Sequence, residues 1–146
     1  MLLVGPSRAM HGLEILLEKA TKLALYYDLP VFKDVYKMTL RIFELTSNFS
    51  REYKFTLGQD LKRDCILLVR SIYRANKCKD KVLYLEQFLD SFEVVKLEIR
   101  LCKDLKLISV KQQAELALLT ENIGKQITGW RNAQEKIVNS RAMPDK

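Results

Sequence analysis

Residues 31–143 contain no proline and only three glycines, Gly58, Gly124 and Gly129, while apolar residues return every three or four positions along the same span. Proline and glycine are the two strongest helix breakers. A span that nearly avoids both and repeats with a period near 3.6 is confined to long amphipathic helices. From Pro30, well suited to a first helical turn, one seam runs through Val31, Val35, Met38, Ile42, Leu45 and Phe49, with Asp28 just ahead as the expected N-cap. The polar stretch 47–54 interrupts it. A second seam follows at Leu61, Cys65, Leu68, Ile72 and Ala75 and ends in the polar run 76–80. A third takes Val82, Leu85, Leu89, Phe92, Val95 or Lys96, Ile99 and Cys102. After Ser109, a suitable N-cap, the fourth takes Leu116, Leu119, Ile123, Ile127 and Trp130, and Leu13–Tyr27 forms a shorter amphipathic segment ahead of all four.

Strands find no support: Asn-Gly and Asp-Gly turns are absent, and no alternating run is bounded by turn residues. The expected fold is all-α, an up-down-up-down four-helix bundle over residues 28–140. Residues 1–27 form an N-terminal extension, read as an extra short helix, an upstream translation start or an expression-derived addition, and 141–146 form a C-terminal tail. The apolar faces are wider than one bundle requires. The first helix adds Phe32, Tyr36, Leu40 and Phe43 to its seam, and the third adds Leu83, Tyr84, Phe88, Leu97 and Leu101. Helices apolar over more than half their circumference have a second surface to cover, so self-association is expected. In the fourth helix Ala114, Ala117, Gly124 and Gly129 permit close backbone approach, and Trp130 reads as a packing or oligomer anchor rather than a base-stacking platform.

With 48% hydrophobic and 29% charged residues, the chain falls outside the disordered class. The longest uncharged stretch is Met1–Ser7, far short of a membrane span, and no basic segment precedes an apolar run as in a signal peptide, so a cytoplasmic location is expected. The net charge is +7, and most of the excess is local: residues 51–81 hold nine Lys/Arg against four Asp/Glu, whereas 82–108 hold four against five. Such an excess favours a polyanionic partner.

Catalysis has little to stand on. His11 is the only histidine, so no Ser-His-Asp or Cys-His pair exists in the helical body, and no glycine-rich phosphate loop occurs. Cys65, Cys78 and Cys102 are odd in number and lack CxxC spacing, which supports neither a disulfide framework nor a zinc site. Asp60–Asp64 and Asp90–Glu93 have basic neighbours three or four positions away, the spacing of surface ion pairs. The chain reads as a non-enzyme without cofactor or metal.

The basic residues are better organised. Arg63, Arg70, Arg74, Lys77 and Lys81 follow at intervals of 7, 4, 3 and 4, a stripe opposite the second seam. Lys96, Arg100 and Lys103 repeat the device in the third helix, there offset by Glu93 and Glu98. This spacing suits either a solvated helix face or cations meeting successive phosphates.

A resemblance rests on five stretches in order: Leu29-Pro30-Val31-Phe32, Phe55-Thr56-Leu57-Gly58, Lys96-Leu97-Glu98-Ile99-Arg100-Leu101, Lys103-Asp104-Leu105-Lys106-Leu107-Ile108-Ser109, and Ile123-Gly124 through Ile127-Thr128-Gly129-Trp130. Over residues 28–136 the chain resembles the accessory variability determinant (Avd) proteins of diversity-generating retroelements. The resemblance implies a four-helix bundle assembled as a barrel-like homopentameric ring, basic, binding RNA and DNA, and partnering the retroelement's reverse transcriptase in mutagenic retrohoming. The family's third-helix pattern of two basic residues maps onto Lys96 and Arg100. Departures are Lys96 where arginine is common and Thr128 in place of the first glycine of Gly-Gly-Trp. Two other readings stand beside it. The bundle proteins of ribosomal-RNA intervening sequences are close in architecture, but their Asn-Ile-Ala-Glu-Gly motif is missing from Ser71-Ile72-Tyr73-Arg74-Ala75-Asn76. The other is a helical protein–protein adaptor that binds no nucleic acid.

Overall fold

The computed structural model describes residues 10–17 and 25–142. Four long helices dominate: α1 (Pro30–Thr46), α2 (Leu57–Lys77), α3 (Lys81–Asp104) and α4 (Val110–Ala142). A 3-10 turn, Leu25–Asp28, precedes α1, and a single helical turn, Arg51–Lys54, separates α1 from α2. Residues 10–17 are helical with every residue exposed, and no strand occurs among the described residues. Of the amphipathic segment expected over Leu13–Tyr27, residues 18–24 lie outside the described residues.

Each helix packs on its chain neighbours, and α4 returns to α1, closing a four-cornered bundle. Short connections make consecutive helices antiparallel. The seams of α1, α2 and α4 lie where the periodicity puts them: Val35, Met38, Ile42, Cys65, Leu68, Ile72, Ile123 and Ile127 are all fully buried. Phe49 is buried too, although it lies past the end of α1, because the 47–50 turn folds back toward the α2 start. There Gly58 is required. A Cβ at this position would stand 3.2 Å from the Tyr53 carbonyl oxygen and 3.4 Å from the Phe49 ring.

The α3 seam differs from expectation. It runs Leu85, Phe88, Phe92, Val95, Ile99, Cys102, so Phe88 belongs to the core while Val82 and Leu89 are only half-buried. Positions i+3 and i+4 from Leu85 both satisfy the period, and the larger apolar ring takes the interior, its centroid 5.5 Å from that of Phe92. Phe32 is likewise core, since its ring packs on Tyr26 of the preceding turn at 5.3 Å. The packed body therefore begins ahead of residue 28, and α4 continues through Ala142.

The helix ends explain the motifs. Leu29, not Asp28, caps α1: the residue before a proline is held extended, and Asp28 closes the 3-10 turn instead. At the end of α3 the Leu107 N–H donates to the Cys102 carbonyl at 2.8 Å and the Lys106 N–H to that of Lys103 at 2.9 Å, a Schellman motif with Lys106 in the left-handed region (φ 61°). Ser109 caps α4 as expected: its Oγ accepts from the Gln112 N–H while Gln112 Oε1 accepts from the Ser109 N–H, a reciprocal capping box. Among the described residues no helix is long and apolar enough to cross a membrane.

Candidate nucleic-acid interface

With Leu61, Cys65, Leu68, Ile72 and Ala75 turned inward, helical geometry puts Arg63, Arg70, Arg74 and Lys77 on the outer face of α2, and all four are exposed. Their surroundings differ. Arg63 is held by carboxylates, 3.2 Å from Asp64 and 3.3 Å from Asp60. Arg74 lies 5.9 Å above the Tyr84 ring and Lys77 lies 5.0 Å above Tyr73, and among the described residues neither charge is paired with an anion. Arg70 makes no ion pair among the described residues. Lys81 does not join this face. Its Nζ donates to the carbonyls of Ala75 (2.8 Å) and Asn76 (2.9 Å), satisfying the C-terminal end of α2, and burial lowers its pKa.

The second basic group lies elsewhere. Lys96, Arg100 and Lys103 line a groove of about 400 Å³ between α3 and α4, opposite Gln113, Ala117 and Thr120. Lys96 pairs with Glu93 and stands 5.3 Å over the Phe92 ring, and Arg100 reaches Asp104 at 3.8 Å. The groove continues past Lys96 along Gly124, Thr128 and Gly129. Gly124 is not needed for close approach inside this chain, since an added Cβ would make only an ordinary 3.7 Å contact with Phe92, and one at Gly129 would meet nothing. Trp130 is half-buried against the core.

Glu98 does not offset Lys96 and Arg100. It points to the opposite flank of α3, into the contact with α2, and is 7% exposed with its Oε2 enclosed and unpartnered. Burial, first, and then the hydrogen bond and charge of Asp64 push its pKa up to about 8. The same burial raises the Cys65 thiol to about 12 and Cys102 to about 11. The spacing carried this signal: Val95, Glu98 and Cys102 fall at i, i+3 and i+7, the inward face. Sequence reading also passed over Arg131, which ties α4 to α3 through Glu86 at 2.7 Å. Among the described residues no three His, Cys, Asp or Glu side chains are grouped to hold a metal ion.

The surplus apolar surface is smaller than the sequence suggested but real. Phe32 and Phe88 are core, whereas Tyr36, Leu40 and Phe43 on α1 and Leu83, Leu97 and Leu101 on α3 remain exposed.

No curated protein matches the chain. The family model described as bAvd-like matches residues 31–134, a span that opens in the first turn of α1, takes in α2 and α3 whole, and ends within α4. On a match of that extent, over a bundle of the expected architecture, the chain belongs to the bAvd-like family.

Proposed function

We propose that the protein is a non-catalytic, nucleic-acid-binding accessory subunit of a diversity-generating retroelement, partnering the reverse transcriptase in the cytoplasm. Membership of the bAvd-like family supports the retroelement context. The observation that carries nucleic-acid binding is the outer face of α2, where Arg70, Arg74 and Lys77 present charge that no carboxylate among the described residues neutralises. Cations so placed displace counterions from a phosphate backbone without reading bases. Lys96, Arg100 and Lys103 form a second surface, and their partial pairing with Glu93 and Asp104 suits a polar protein contact as well as RNA.

The protein assembles as a homopentameric, barrel-like ring. Support comes from the exposed apolar residues of α1 and α3 and from Gly129, whose open surroundings admit another backbone. A ring repeats the α2 stripe around the assembly, so modest contacts per chain gain avidity. The test is binding of labelled RNA across a salt series. The logarithm of the association constant falls linearly with the logarithm of salt concentration; a salt-independent affinity contradicts the proposal.

A further inference from the structure

Where α2 ends against the start of α3, Arg70, Tyr73, Arg74, Lys77, Cys78 and Tyr84 line a half-open recess of about 410 Å³. We infer that this pocket is a stacking subsite for one unpaired nucleobase of a single strand, with its flanking phosphates taken by Arg70, Arg74 and Lys77; the inference rests on the nucleic-acid-binding reading above.

Its chemistry is mixed in the way a nucleotide requires: three cations, two phenol rings and, among the described residues, no carboxylate in the lining. A helix face built only for phosphate has no use for the rings. Both are braced from behind. Tyr73 meets Tyr26 edge-on at 5.3 Å, and Tyr84 packs against the core, so each ring keeps a fixed plane and is half-exposed. Lys77 and Arg74 stand over these rings at 5.0 and 5.9 Å. Long flexible cations of this kind swing to a phosphate at small cost and uncover the ring faces, where a base then stacks. A duplex keeps its bases paired and out of reach of a recess at a helix end, so the subsite favours single strands.

Three probes separate the possibilities: an oligo-dA strand of about 12 nucleotides, its abasic counterpart with the same number of phosphates, and a duplex of equal length, which carries about twice as many. Wild-type protein binds oligo-dA about five- to a hundredfold more tightly than the abasic strand, the range expected for one stacked base. Tyr84→Leu loses that preference while its affinity for the abasic strand is unchanged, and Tyr84→Phe, which keeps a ring, retains it. Photo-crosslinking of a halogenated single strand to the wild-type chain maps to Tyr73 or Tyr84, a readout independent of the variants folding. Equal wild-type affinity for base-bearing and abasic strands, or crosslinks confined to other residues, overturns the subsite and leaves electrostatic binding standing. Failure of wild type to bind any of the three probes overturns the underlying reading instead.

Discussion

Replacing Glu98 with glutamine isolates what a buried carboxyl contributes to the α2–α3 contact. The native chain holds the Glu98 proton up to about pH 8, against an ordinary value of 4.5. Between those two values the folded state binds more protons than the unfolded chain, so this group's contribution makes stability fall as pH rises. Each unit of separation corresponds to about 1.4 kcal/mol, so the whole window amounts to a loss on the order of 5 kcal/mol, complete above the folded pKa. Glutamine cannot ionise and retains an amide donor for Asp64. Glu98→Gln therefore matches wild type near pH 5.5 and exceeds it by roughly 2–4 kcal/mol near pH 8.5. Urea unfolding at several pH values, at one fixed protein concentration, measures both curves, since self-association makes apparent stability concentration-dependent. Only the difference between the proteins counts, because other carboxylates titrate in each. Parallel curves for variant and wild type refute the buried, protonated Glu98.

Three other outcomes follow from the packing. Gly58→Ala destabilises by about 1 kcal/mol or more in denaturant unfolding because its Cβ meets the fixed Tyr53 carbonyl, whereas Gly129→Ala, in open space within a helix, raises single-chain stability by about 0.5–1 kcal/mol; if the ring brings another backbone to Gly129, the same variant lowers the sedimenting mass. In native protein a thiol reagent modifies Cys78, half-exposed, well before Cys65 and Cys102, which burial keeps as thiols, as peptide mapping after timed labelling reads directly. Lys96→Ala with Arg100→Ala weakens binding of RNA, of the reverse transcriptase, or of both, with helical signal and assembly mass unchanged; wild-type binding of both partners reduces the pair to a solvated face.

Most of the fold was legible because a 3.6-residue period fixes which side of a helix faces inward, whatever lies there. Val35, Leu68 and Ile123 needed no further information. Choices within the period were not legible: Phe88 and Leu89 satisfy it equally, and ring volume settled the matter only once α2 and α4 were in place. Charge was harder. In one dimension Glu98 lies two residues from both Lys96 and Arg100, but residues two apart on a helix point about 200° apart, so the carboxyl left the α4 groove for the α2 contact. Lys81 follows the stripe's interval arithmetic yet lies beyond the end of α2, where unsatisfied carbonyls capture its ammonium. Tyr73 and Tyr84 were invisible as a pair because they are brought together only by the turn between α2 and α3.

The central claim, that the outer face of α2 holds nucleic acid, is tested most directly by reversing Arg70, Arg74 and Lys77 to glutamate and measuring RNA affinity across a salt series with the assembly mass recorded on the same sample. All three are exposed and outside the core, so the fold and mass persist. The account predicts a loss of at least about a hundredfold, together with a shallower salt dependence than wild type, since fewer phosphates are neutralised. Wild-type affinity and salt slope in a triple variant of unchanged mass would contradict it.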